Sequence, residues 1–180
     1  MNKIQVDNHD FVFTPANLPL LIHGQDKTGA SLFTITLAAT LLAQDEKILF
    51  LSGYTMAREE FFKQIAEIPH KDSVLFFTQE ELSDFIQAVS NHEILDERVV
   101  IVKNIELFPE TIFDLVTASR KLIVSGDVSL SSYSDKIIER QYKSKVLFSL
   151  LKGQNIPSLE KYQGFLTSDT QTGIVTTLIV

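Results

Sequence analysis

Gly24 and Gly29 bracket Gln25, Asp26, Lys27 and Thr28, and Ser31 stands two places after the second glycine. This is the spacing of G-x-x-x-x-G-K-[ST], a loop whose backbone N–H groups cradle phosphate. In that pattern the lysine reaches the outer phosphates and the hydroxyl touches Mg²⁺. Here the lysine position is Ala30. Alanine leaves the cradle its backbone donors and removes the cation that neutralises phosphate in the ground state and the transition state. Lys27 is either a substitute charge or a solvated turn lysine. Asp26 adds a negative charge beside the anion site and argues against tight triphosphate binding.

A cradle of this kind needs a strand before it and a helix after it, because the helix N-terminus adds unpaired N–H groups and a favourable dipole. Leu18 to His23 reads as a short buried strand ended by Gly24, and Ser31 to Ala43 as a mostly buried helix. Further apolar strands follow at Lys47–Ser52, Val74–Phe77, Arg98–Val102 and Lys121–Ser125. Helical spacing marks Ala57–Ile68, Glu80–Val89 and Pro109–Ser119. Strands alternating with helices imply a parallel sheet covered on both faces and wound in both directions. From Asp135 onward the pattern changes. Lys136–Glu139, Lys145–Leu150, Tyr162–Thr167 and Gly173–Val180 read as short strands that extend the sheet with antiparallel or edge pairing. The expected fold class is therefore α/β, a doubly wound and mostly parallel sheet with a β-rich extension over 135–180. The 180 residues are expected to form one domain, with 1–17 as an N-terminal segment.

Composition narrows the functions. A net charge of −7 gives no support to a dominant nucleic-acid or anionic-membrane surface. No cysteine is present, which excludes disulfides, thiolate metal sites and a cysteine nucleophile. The start of the chain lacks the apolar stretch of a signal peptide, and no apolar run is long enough to span a bilayer, so a cytoplasmic location without membrane contact is expected. His9, His23, His70 and His92 are scattered without ligand spacing and read as surface or loop histidines. Glu59-Glu60 and Asp96-Glu97 are neighbours whose side chains diverge, so they read as solvated faces; Phe61-Phe62 and Phe76-Phe77 read as core.

From Leu20 to about Phe62 the chain resembles the RecA/KaiC/DnaB-helicase branch of P-loop ATPases. The glycine turn, the small-residue helix, the charged turn Asp45-Glu46-Lys47, a strand ending in Ser52 and a helix opening near Ala57-Arg58-Glu59-Glu60 share its rhythm. The resemblance implies three chemical positions beyond the loop lysine. A glutamate that activates water belongs near the second strand end, where Ser52-Gly53-Tyr54-Thr55 stands. The Walker B strand should end in an aspartate that holds Mg²⁺; Val99 to Val102 ends instead in Lys103-Asn104, and a lysine repels the metal. Glu106 compensates only if the loop is rearranged. Ser125 falls where a polar residue senses the γ-phosphate.

Lysine, glutamate and aspartate are thus all replaced, on separate elements, while hydrolysis depends on positioning and charge stabilisation. The resemblance implies a RecA-like domain that does not hydrolyse ATP and acts as an assembly or regulatory subunit, as a homo-oligomer or beside a RecA-like paralogue. One alternative is an ATP- or ADP-binding module or slow ATPase, with Mg²⁺ on Ser31 and with Lys27 or Lys103 as the cation. Another is a nucleic-acid-binding accessory protein using the tail cluster Lys136, Arg140, Lys143, Lys145 and Lys152, which also reads as a solvated edge or a site for an acidic partner.

Overall fold

The structure is a computed structural model and describes residues 1–70 and 72–180. The strands are β1 (Lys3–Val6), β2 (His9–Asp10), β3 (Leu20–His23), β4 (Lys47–Ser52), β5 (Val74–Thr78), β6 (Arg98–Lys103), β7 (Leu122–Gly126), β8 (Ser144–Leu147), β9 (Gly164–Ser168) and β10 (Thr172–Leu178). The helices are α1 (Ala30–Leu42), α2 (Met56–Gln64), α3 (Leu82–Val89), α4 (His92–Glu97), α5 (Glu110–Val116) and α6 (Ser134–Glu139). One ten-stranded sheet holds every strand, in the order β2-β1-β10-β9-β8-β3-β7-β6-β4-β5. Pairing is parallel from β8 to β5 and antiparallel from β8 to β2.

Side chains along the parallel strands alternate between two cores. Leu20 and Ile22 of β3 join one cluster and Leu21 the other; Val99 and Ile101 of β6 oppose Val100 and Val102 in the same way. Residues of α1 and α2 fill the first face, and those of α3, α5 and α6 the second. Both faces being covered explains why these strands read as apolar runs rather than as alternating ones. On the first face Phe50 is fully buried; it stacks on Phe76 at 4.5 Å and meets the Phe61 ring at a tilt of 47° and 5.6 Å.

The structure departs from the sequence reading at three places. The sheet is mixed: β8, β9 and β10 pair antiparallel as the tail pattern implies, and the N-terminal segment, not anticipated as strand, adds β1 and β2. Ile4 and Val6 alternate with polar neighbours and bury their side chains beside β10, an amphipathic strand pattern. Lys136–Glu139 is helical, within α6. Its adjacent isoleucines suit a strand locally, but Ile137 packs into the second core and Lys136 reaches Glu110 and Asp114 across from α6. An acidic Asp135 in the first turn favours the helix as well. Finally, α4 was not anticipated; Asn91 caps it by accepting the Glu93 N–H.

Phe50→Ala removes a fully buried ring from the layer beneath α2. Urea denaturation is expected to show a loss of about 3–5 kcal/mol. A loss well under about 1 kcal/mol would mean that this aromatic cluster does not hold α2 on the sheet.

Candidate functional site

At the C-terminal ends of the parallel strands lies a cleft of about 760 Å³. Ligands of open α/β sheets bind at this end, outside the carboxyl ends of the strands. The loop Gly24 to Ser31 forms one wall, and every residue of it lines the cleft. Its backbone carries two left-handed residues, Lys27 at φ 62° and Gly29 at φ 97°. Alternating left-handed and right-handed residues turn successive N–H groups into one concavity, the geometry of an anion nest. Among the described residues, the N–H groups from Asp26 to Leu32 donate to no protein acceptor. For Lys27 this conformation costs about 1–2 kcal/mol, because its Cβ crowds the carbonyl.

The opposite wall is set by strand register. Ser52 pairs with Lys103, Lys103 with Ser125, and Ser125 with Ile22. The strand alternation turns Ser52, Lys103 and Ser125 toward the α1 side. Lys103 is 3% exposed. Its Nζ donates to Asn104 Oδ1 at 3.0 Å and lies 5.9 Å from the centre of the Tyr54 ring. Burial pushes its ammonium below the ordinary lysine range, and the charges of Glu60 and Glu106 oppose that shift. Asn104 adopts a left-handed conformation at φ 65°, and the short 3-10 turn Ile105–Leu107 folds back behind it. The rearranged loop returns Glu106 to the cleft wall. Burial, and secondarily the nearby Asp127, raises the Glu106 carboxyl above the usual range. Gly126, at φ 143°, leaves no room for a Cβ beside that carboxylate.

Ser125 is committed elsewhere. Thr34 Oγ1 donates to the Ala30 carbonyl at 2.8 Å and lies 2.6 Å from Ser125 Oγ. The single Thr34 proton is spent on Ala30, so the Ser125 hydroxyl donates to Thr34. A sensing role by donation to phosphate would first have to break that bond.

Three contacts pin the loop from outside. His23, fully buried, accepts the Val128 N–H on Nδ1 at 3.1 Å and donates from Nε2 to the Leu150 carbonyl at 3.1 Å. Ser149 Oγ accepts the Gln25 N–H at 3.0 Å. The Tyr162 backbone packs so closely on Gly29 that a Cβ there would sit 3.3 Å from it. His23 therefore corrects the surface reading of the histidines: it closes a buried strand, where only the neutral imidazole can accept one bond and donate the other.

The structure brings together every loop residue with Lys103, Asn104 and Ser125. Lys27 is exposed on the loop and Ala30 is buried beneath it. Among the charged and amide side chains that line the cleft, Glu60, Lys63, Gln64 and Asp127 lay outside the sequence reading of the site, as did both chain ends, Met1-Asn2 and Ile179-Val180. The first three share a face of α2 at i, i+3 and i+4, a signal present in the sequence. Asp127 shows only from the topology. The tail cluster is dispersed: Lys136 pairs with Glu110 and Asp114, Lys152 lies 3.6 Å from Asp135, and Arg140 binds carbonyls after α5.

As a ligand environment the cleft fits phosphate better than magnesium. The nest and Lys103 offer N–H donors, whereas the strand end that would face a metal carries a cation. Asp127 and Glu106 supply carboxylates, but Lys103 shares their space and repels a divalent ion. No helix among the described residues is long and apolar enough to cross a membrane.

Three solved structures are similar to this chain. The flagellar accessory protein FlaH from Methanocaldococcus jannaschii has a TM-score of 0.55 at 13% identity, over 83% of this chain and 76% of that one. The cytoplasmic domain of the type VII secretion ATPase EccC from Thermomonospora curvata has a TM-score of 0.59 at 12% identity, over 89% of this chain and 24% of that one. EssC (ATPases 2 and 3) from Geobacillus thermodenitrificans has a TM-score of 0.54 at 13% identity, over 99% of this chain and 43% of that one. The chain has their fold. It spans about a quarter of the EccC chain and less than half of the EssC chain. No family model matches the sequence, and a search of curated proteins gives no match.

Burial lowers the pKa of His23 below its ordinary value, against weaker raising contributions from the Leu150 bond, Asp127 and Gly126. Its contribution to stability is complete above about pH 6.5, the unfolded value, and is lost as pH falls from there toward the folded value. The melting temperature is expected to drop between about pH 7.5 and 5.5, and His23→Gln, which keeps an acceptor and a donor, to flatten that drop. Identical pH profiles for the two proteins would remove His23 as the cause.

Proposed function

We propose that this chain is a RecA-like P-loop domain that does not hydrolyse nucleotide and serves as an assembly or regulatory subunit. The observation that carries the reading is Lys103, buried at the end of β6 where a metal-holding carboxylate would be needed. Ala30 removes the loop cation at the same time, and Ser52 stands at the end of β4 without a carboxylate beside it. Residues 1–180 are read as one such domain, acting in the cytoplasm.

The rim of the cleft supports the assembly half of the reading. Tyr54, Met56, Leu130 and Leu150 stand at the strand exits and are 56–74% exposed. Tyr54 and Leu130 line the cleft itself, and exposed apolar side chains at a cleft mouth support a protein contact there. The partner is a second copy or a RecA-like paralogue.

Purified protein with ATP and Mg²⁺ is expected to show no turnover above that of a Ser31→Ala variant. Magnesium-dependent hydrolysis that Ser31→Ala abolishes would overturn the proposal. Sedimentation tests the homo-oligomer: the wild type is expected to run larger than Met56→Glu/Leu130→Glu, and a monomeric wild type leaves only the paralogue.

A second reading is favoured by the unpaired N–H groups of Asp26 to Leu32 together with Lys103: an ADP- or ATP-binding module without catalysis. Lys103 is a better candidate cation than Lys27, since it lies inside the cleft wall. Calorimetry is expected to give an affinity that falls about tenfold in Lys103→Ala, roughly the value of one charge-assisted contact, and less in Lys27→Ala. No heat with about 1 mM nucleotide would remove this reading.

A further inference from the structure

A second groove of about 540 Å³ lies at the opposite end of the sheet, where the chain enters β3, β7 and β8. Pro15 and Pro19 form an apolar wall, and Arg120, Lys121, Arg140 and Lys143 form the other side. Among the described residues no acidic one lines it. In a chain of net charge −7 this is a local reversal of sign.

How each cation is partnered decides what the groove can bind. Lys121 pairs with Glu46 at 2.9 Å. Arg140 donates to the carbonyls of Thr117, Ser119 and Gln141 and to the Thr117 hydroxyl, so main-chain dipoles offset its charge without a carboxylate. Arg120 and Lys143 are exposed, and among the described residues neither has a carboxylate within ion-pair distance. Ser119, 6% exposed and lining the same groove, has a buried hydroxyl with no hydrogen-bond partner among the described residues. Positive charge and an apolar wall are therefore adjacent.

We propose that this groove docks an acidic peptide segment of a partner protein. Its carboxylates pair with Arg120 and Lys143, and an apolar side chain rests on Pro15 and Pro19. The arginine fork matches a carboxylate bidentately, and the lysine ammonium adds a point charge. The chain's overall negative charge works against a nucleic-acid strand, which carries a charge at every phosphate and needs a long basic track. An acidic run of a few residues requires only the cations present. The site is independent of the glycine-loop cleft, so either assignment can fail without the other.

The test is fluorescence anisotropy with the whole chain and a labelled peptide of alternating Asp and Glu around one central Leu. Binding is expected at about 50 mM salt and to weaken strongly at about 300 mM, as screening shortens the reach of exposed charges. Arg120→Glu/Lys143→Glu is expected to lower affinity at least about tenfold. The charge-matched control Lys152→Glu/Lys161→Glu, which alters neither groove residue, is expected to stay within about twofold of wild type, with circular dichroism confirming that both variants fold. Absence of binding at low salt would overturn the proposal. So would equal losses in the two double variants, which would mean that only the net field acts. Tighter binding of a single-stranded oligonucleotide of equal length would overturn it in favour of nucleic acid.

Discussion

The ammonium of Lys103 is held out of water at the end of β6, and the cleft is organised around that charge. A buried cation is tolerated only when oxygen acceptors, aromatic faces or opposite charges replace its hydration. Here Asn104 Oδ1, the Tyr54 ring, and the fields of Glu60 and Glu106 do so. These groups come from the loops after β4 and β6 and from α2. The left-handed turn at Asn104, the return of Glu106 and the glycine at 126 all follow from building acceptors around one nitrogen. The proposed phosphate site rests on this cation, which also repels a divalent metal from the same space.

Both halves of the mixed sheet meet at the glycine loop. The parallel half supplies β3 and the row Ser52, Lys103 and Ser125. From the segment that carries the chain into the antiparallel half come Ser149, the Leu150 carbonyl and Tyr162, which tie down Gln25, His23 and Gly29. A loop that holds strained residues with unpaired N–H groups needs such outside support, because its local conformation is unfavourable alone. The strands between the two ends are four to six residues long, which separates the upper cleft from the lower groove by about 13–20 Å. At that distance solvent screening leaves the two surfaces electrostatically independent.

Apolar runs separated by helical spacing carried much of the fold into view, because a strand buried on both faces must be apolar throughout. The glycine spacing located the loop for a similar reason: Gly29 is left-handed, and a Cβ at Gly24 would meet Thr28 and Ala30. The misreadings of secondary structure share one cause. Lys136–Glu139 and Lys3–Val6 are short, and in short segments local preference is weaker than packing; Ile137 took its place in the second core only because α5 lies opposite. His23 was misplaced because a polar residue at a strand end is buried or exposed according to which loops close over it.

By itself the sequence determined the strand–turn–helix at Gly24 to Ser31, the Ala30 that follows its second glycine and the Lys103 that ends an apolar strand. Those facts are local, since they depend on residue identity and spacing along the chain. The tertiary structure alone decided that Lys103 points into the cleft, that Glu106 returns to it, and that Arg120 and Lys121 join Arg140 and Lys143 at the far end. Each of these depends on strand register and loop closure, which bring together residues far apart in the chain, and spacing along a chain carries no direct measure of that.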